Sequence, residues 1–361
     1  MSQISMISAP HAHDHSSVHR VMLHVCLALV PCTLFGFYRF GVPAITLFLI
    51  TVSSALLWES LCLKFMGMSQ YRLNDCSALL TGWLLALTLP PWAPWWIGVS
   101  GSFIAIVIGK QLYGGLGQNI FNPAMLARAA LLISFPVVMT TWPILEGTDG
   151  WHAISVGDSF LITAGKADIP DTMTGATYLG HLKTELTSGK NAEEILLHYS
   201  SLSEAFFGFS AGSLGEGSCF LILLGGIWLL IMRIISWHIP LSMLVTAALI
   251  STLFHWLDPT RYGNALFHLF SGGMILGAFF IATDLVTSPS SKGGQLVFGA
   301  GCGALTIIIR NWGNFPEGVA FAVLFMNAVT PMIDIYFRPR VYGRTYRGNP
   351  VKVSQHSDTK E

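Results

Sequence analysis

Charge is what this chain of 361 residues lacks. Asp, Glu, Lys and Arg make up 11% of it, against about 25% in an ordinary globular domain. So few ionised groups cannot coat the surface of a water-soluble protein of this length, which excludes a cytosolic enzyme and a disordered chain. The 19 basic and 19 acidic residues cancel, so a basic nucleic-acid binder is excluded too. Cysteine patterning is also missing. Cys26, Cys32, Cys62, Cys76, Cys219 and Cys302 stand singly, with no CxxC or CxxCH spacing for a local cluster or haem attachment. Their default reading is that of small buried hydrophobes. The polar stretch Met1 to Val18, with His11, His13 and His15, is unlike a cleaved signal peptide and reads as a solvated tail.

What is abundant is apolar: 52% hydrophobic residues and 12% Trp, Tyr and Phe, the composition of a chain solvated by lipid with aromatic belts at two interfaces. Crossing the hydrocarbon takes about 20 mostly apolar helical residues. Val21–Tyr38 and Phe40–Trp58 qualify, separated by Arg39. Cys76–Gly109 is uncharged and broken at Pro90-Pro91-Trp92-Ala93-Pro94; the prolines force a turn, so two spans and a hairpin are expected. Phe121–Val138 is a fifth span, carrying Arg128. Gly217–Met232, Ile234–Leu257, Tyr262–Thr283, Gly293–Ile309 and Gly318–Ile333 complete ten.

The expected fold is therefore an all-α polytopic membrane protein. A tail (1–18) precedes five spans (19–138), a long loop (139–216), five more spans (217–337) and a basic tail (338–361). Lys64, Arg72, Lys110, Arg233, Lys292 and the C-terminal arginines fall on one side, which the positive-inside rule makes the cytoplasm, with both termini there. The loop then lies outside. Leu182–Tyr199 has the composition for one or two helices, and Phe206, Phe207 and Phe209 suit a membrane surface. Five spans per half require any repeat to be inverted. Two broken segments correspond: Gly109–Pro123, with Gly117, Asn119, Phe121 and Pro123, and Asn311–Gly318, with Gly313, Asn314, Phe315 and Pro316.

In the loop stands Asp171-Thr172-Met173-Thr174-Gly175-Ala176-Thr177, with Gly175 and Ala176 leaving the Thr177 hydroxyl unhindered. These residues suit a modifiable threonine or an N-cap for a helix after Tyr178. The pattern Asp-x-x-Thr-Gly-Ala-Thr resembles the acceptor motif of flavin transferases, which esterify FMN to threonine. Two further blocks extend the resemblance: Gly114-Gly115-Leu116-Gly117-Gln118-Asn119-Ile120-Phe121-Asn122-Pro123-Ala124-Met125 with Arg128, and Ala282-Thr283-Asp284-Leu285-Val286-Thr287-Ser288-Pro289 with Gly294-Gln295-Leu296. Over nearly its whole length the chain is similar to one family, that of RnfD in the Rnf electron transport complex and of its relative NqrB in the sodium-translocating NADH:quinone oxidoreductase. The one departure is Leu285, where the family pattern has proline.

The resemblance implies FMN on Thr177, with Asp171, Thr174, Gly175 and Ala176 read by the transferase, and a second, non-covalent flavin such as riboflavin in the bundle towards the cytoplasm. It implies an electron-carrying subunit of an inner-membrane complex, with an extracytoplasmic flavoprotein subunit as neighbour, a ferredoxin- or NADH-linked cytoplasmic partner, and coupled movement of sodium ions or protons. No acid–base pair or nucleophilic triad is needed, because the cofactor carries the chemistry. Asn119, Asn122, Thr283 and Asp284 read either as contacts to the second flavin or an ion path, or as caps at broken helices. Arg128 has three readings: pairing with a carboxylate, holding a flavin, or snorkelling to the interface. Glu59, Asp75 and Asp334 read as interfacial, His24, His255 and His268 as satisfied core histidines, and Trp92, Trp95, Trp96, Trp142, Trp237 and Trp312 as a belt. A cofactor-free solute permease and a scaffold subunit are the competing functions.

Overall fold

In the computed structural model, the described residues are 17–143, 155–166, 174–198, 206–208, 212–313, 315 and 317–338. Asp171, Phe209, Asn314, Pro316 and the arginines beyond Arg338 lie outside them. The protein is an all-α polytopic membrane protein, and its helices follow the apolar runs. The first half has α1 (Val18–Phe40), α2 (Val42–Phe65), α3 (Ser77–Thr88), α4 (Trp95–Phe103) and α5 (Pro123–Ser134), followed by the short α6 (Pro136–Thr140). The loop carries α7 (Val156–Thr163), α8 (Tyr178–Thr187) and α9 (Ala192–His198). The second half has α10 (Cys219–Ile231), α11 (His238–Leu257), α12 (Ala265–Phe270), α13 (Met274–Leu276), α14 (Lys292–Trp312) and α15 (Val319–Tyr336).

Six helical stretches are long and apolar enough to cross a bilayer, α4 counting with its continuation to Tyr113; α3, α5 and α10 are shorter. The Pro90–Pro94 hairpin separates α3 from α4 as the prolines dictate. Tyr262–Thr283, expected as one span, is instead broken at Ser271–Gly273: Gly272 turns left-handed at φ +67°, and the chain resumes as α13 and one π turn, Gly277–Ile281. A second π turn, Ile104–Ile108, ends the α4 segment. Such turns free carbonyls and recur at functional sites. The segment after Ile281 ends without the family's proline, because Asp284 accepts from Val286 N (3.3 Å) and Thr287 Oγ1 (3.2 Å) while Leu285 faces outward.

Each half repeats the same partnerships. α2 packs on α3 and α4 as α11 packs on α12 and α14, while α1 meets α10 and α5 meets α15 across the middle. The halves are also stitched by backbone. Gly215 N donates to Leu87 O (2.7 Å) and Leu214 N to Leu89 O (3.4 Å), closing the carbonyls left open where α3 ends. Small residues bring helices close, as lipid-embedded packing requires. On α14, a Cβ at Gly299 would lie 2.6 Å from Ile239 O, and one at Gly303 would strike Met243 O. Four cysteines are buried and all six are free. Trp92 and Trp142 are buried rather than in a belt, since Trp92 Nε1 donates to Phe40 O (3.0 Å); Trp95, Trp237 and Trp312 are exposed.

Gly303→Val is expected to force α11 from α14 and to lower stability by about 1–3 kcal/mol or more. Gly157→Ala, whose Cβ meets only Ser155 Oγ at 3.9 Å, should change little. Thermal unfolding in detergent distinguishes them.

Candidate functional site

A cleft lies between α1, α3, the start of α5, the end of α10 and the π turn Gly277–Ile281. Four residues singled out from sequence line it together: Asn119, Asn122, Thr283 and Asp284. They arrive by different routes. Gly114, Gly115 and Gly117 all adopt left-handed backbone (φ +114°, +98° and +91°), a run that glycine alone makes without strain, and this turn delivers Asn119. Asn122 caps α5, its Oδ1 accepting from Ala124 N (3.1 Å) and Met125 N (3.2 Å), while Nδ2 donates to Ile281 O (3.3 Å) at the π turn. Thr283 Oγ1 donates to Phe279 O (2.6 Å). Asn119 Nδ2 donates to Phe121 O (3.1 Å), whereas its buried Oδ1 has no partner among the described residues. A buried acceptor left open costs about 1–3 kcal/mol, so the cleft suits an occupant that donates.

Lys110 also lines this cleft. It is 2% exposed and donates to Glu59 Oε1 (2.9 Å) and Ser77 Oγ (2.6 Å); Ser77 Oγ in turn donates to Asp75 Oδ1 (2.5 Å). Glu59, read as interfacial, is therefore a core residue, 3% exposed. Lys110, counted as a loop charge, is its counter-ion. The pair joins residues 51 apart, with no local spacing to announce it. Asp334 is half-buried and accepts from Ser290 N (3.2 Å).

Arg128 lies apart from this cleft. It is 8% exposed, pairs with Glu317 and lies 3.7 Å from Glu216 Oε1, so of its readings the structure has the carboxylate pair, with the head buried rather than snorkelled. Glu216, in the irregular segment before α10, and Glu317, before α15, were not singled out from sequence. Their position beside Gly217 and Gly318, at the mouths of apolar runs, was the available signal. Arg310 completes this outer layer, donating to His268 O (2.5 Å) and Ser271 O (2.9 Å) at the broken eighth segment. His268 is buried but its Nδ1 has no partner among the described residues, contrary to the expected satisfied histidine. His24 and His255 contact Arg20 O (2.7 Å) and Tyr262 O (2.8 Å).

The threonine motif sits against that outer layer. Thr174-Gly175 pairs antiparallel with Trp142-Pro143, and Trp142 lines a small cavity with Arg128 and Glu317. Thr177 caps α8, its Oγ1 accepting from Gly180 N (3.2 Å). The residue is 4% exposed, so its hydroxyl is not the unhindered one expected from sequence, although Ala176 beside it is exposed. The structure thus has the capping role expected of a threonine there. A phosphoester oxygen fits the same place. It keeps lone pairs for the Gly180 N–H, and its phosphate would meet the positive end of α8.

The sequence profile of the NQR2, RnfD, RnfE family matches residues 5–343. The chain belongs to this family. Proteins named as the D subunits of ion-translocating oxidoreductase complexes are similar to it end to end. The relative from Stutzerimonas stutzeri is 59% identical over 345 residues, covering 94% of this chain and 96% of its own. That from Halorhodospira halophila is 47% identical, covering 97% and 98%, and that from Rhodobacter capsulatus is 48% identical, covering 84% of each. The family match spans the cleft, the buried pairs and the threonine motif alike.

Removing one partner of a buried ion pair strands the other charge. Lys110→Met is expected to cost about 3–5 kcal/mol, and Lys110→Met combined with Glu59→Met to recover most of it. Melting temperatures of the single and double variants in detergent check this.

Proposed function

We propose that this chain is an electron-carrying subunit of an ion-translocating oxidoreductase complex. In this reading it holds FMN as a phosphoester on Thr177 and a second, non-covalent flavin, riboflavin or a relative, in the inner cleft. The observation that carries the reading is the convergence of Asn119, Asn122, Thr283 and Asp284 on one cleft. Flavin supplies one- and two-electron redox chemistry when bound; the protein supplies place and polarity. Asn119 Oδ1 is the open acceptor for a ring N–H, Thr283 and Asp284 set the polarity of the opposite wall, and Phe279, Phe280 and Leu84 exclude water. The Thr177 site needs no deep pocket, because the covalent bond would do the holding.

The chain lies in the bacterial inner membrane with both termini cytoplasmic. The Thr177 helix faces an extracytoplasmic flavoprotein subunit of the complex, and the inner cleft faces NADH- or ferredoxin-linked partners. Asp171, Thr174, Gly175 and Ala176 are the determinants by which a flavin transferase recognises the loop during maturation. Movement of sodium ions or protons is coupled to the electron traffic at the level of the complex. The names of the relatives and the family's reach over the whole chain support this placement, as does a bundle with two polar sites at different levels.

Protein made in a host with an active flavin transferase should carry a mass increment equal to FMN less water. It should fluoresce as a denatured band, and Thr177→Ala should abolish both. Asn122→Ala should deplete the non-covalent flavin and leave the covalent label. Loss of neither flavin in its own variant would defeat the assignment.

Orientation has its own readout. A cysteine replacing Lys190, whose side chain is 60% exposed, should react with an impermeant thiol reagent applied to intact cells. One replacing Lys292 should react only after permeabilisation. The opposite pattern would place Thr177 on the cytoplasmic side.

A further inference from the structure

Behind the helix capped by Thr177 lies a second cavity, open to solvent. It is walled by α8, the turn after α11, and the ends of α12 and α14. Its chemistry differs from that of the inner cleft. Arg310 and His268, 6% and 3% exposed, line it together with Asn311. The guanidinium of Arg310 satisfies two carbonyls through Nη1 and Nη2, but its Nε has no acceptor among the described residues. Asn311 Nδ2 and His268 Nδ1 are likewise buried without partners. Three unpartnered polar atoms in residues that line one cavity are unusual in a folded interior, where buried polar groups are normally paired.

The rim adds Lys183, Lys190 and Arg261. Lys183 donates to Gly313 O and Lys190 pairs with Glu185, which fixes both cations beside the opening. One carboxylate, Asp258, also lines it, and its Oδ1 already accepts from Thr260 N (3.2 Å) and Oγ1 (2.6 Å). The lining therefore has an excess of cations and open donors. Leu179, Leu182 and Leu186 form an apolar wall. Leu257 and Trp312, neighbours in sequence of Asp258 and Asn311, are 63% and 52% exposed, as expected where a chain meets the membrane–water interface.

We propose that this cavity binds a phosphate-bearing anion, with Arg310 and Asn311 donating at its base and Lys183, Lys190 and Arg261 at its rim. Forked and ammonium donors of this kind recognise phosphate oxygens through short, charge-assisted hydrogen bonds. The sources of that chemistry at an interface are the headgroup of an anionic phospholipid and free phosphate. The apolar wall suits the glycerol and first methylenes of a lipid. Because α8 forms one wall and the ends of α12 and α14 the others, an occupant ties the Thr177 helix to the bundle. This site requires nothing of the flavin assignment.

The test uses the full chain, purified in a non-ionic detergent and stripped of lipid. Native mass spectrometry and thermal unfolding are followed as short-chain phosphatidylglycerol, phosphatidylcholine of the same chain length, or inorganic phosphate is titrated in. Phosphatidylglycerol should bind at least about tenfold more tightly than phosphatidylcholine and raise the melting temperature. The double variant Lys190→Gln/Arg261→Gln, whose side chains are exposed and leave the fold intact, should lose that preference, as should Asn311→Leu. Binding of inorganic phosphate as tight as that of the lipid would identify a free-anion site, and competition by phosphate against the lipid would confirm the shared chemistry. Equal binding of the two lipids with no phosphate binding, or undiminished preference in both variants, would overturn the proposal.

Discussion

Hydrocarbon offers no hydrogen bonds, so every charge and every open backbone group inside this bundle must be met by the protein itself. That requirement shapes each irregular segment. The segment leading into α10 donates backbone N–H groups to Leu87 and Leu89. The break at Ser271–Gly273 hands its carbonyls to Arg310, and the break before α5 is closed by Asn122. Two buried ion systems, Lys110 with Glu59 and Arg128 with Glu317 and Glu216, lie where the helices are shortest or interrupted. The breaks are tolerated only because the partner groups arrive from the other half or from distant segments, which makes the two halves mutually dependent.

α5 connects the two levels. Asn122 opens it at the inner cleft, and Arg128 lies six positions later, about 9 Å along the axis at 1.5 Å per residue. A short helix with a polar group at each level is suited to holding the two proposed flavin sites in fixed relation. The outer level is linked to the threonine motif through Trp142, whose backbone pairs with Gly175 and whose side chain borders Arg128 and Glu317.

Helix positions were legible because hydrophobic runs and proline breaks act locally. The Pro90–Pro94 hairpin, the helices within 182–199 and eight of the ten apolar segments follow from them; the fifth is interrupted at Phe135, between α5 and α6. The eighth was misread as continuous because Gly272 and Gly273 sit within an otherwise apolar stretch, and composition does not reveal that the chain turns left-handed there. The convergence of Asn119, Asn122, Thr283 and Asp284 was legible only as separate polar residues beside glycine and proline. Glu59 was read as interfacial and Lys110 as a loop charge, since a pair 51 residues apart leaves no periodic trace. Glu216 and Glu317, which meet Arg128 from either end of the second half, escaped for the same reason. Thr177 stood out because its motif is contiguous.

In the proposed function, one flavin is bonded to the chain and another is merely enclosed by it. Acid precipitation of the purified protein, followed by flavin assay of pellet and supernatant, separates the two directly. The account predicts stoichiometric FMN retained in the pellet and a comparable amount of a second flavin released to the supernatant. Flavin confined to the supernatant, or absent from both fractions, would contradict it.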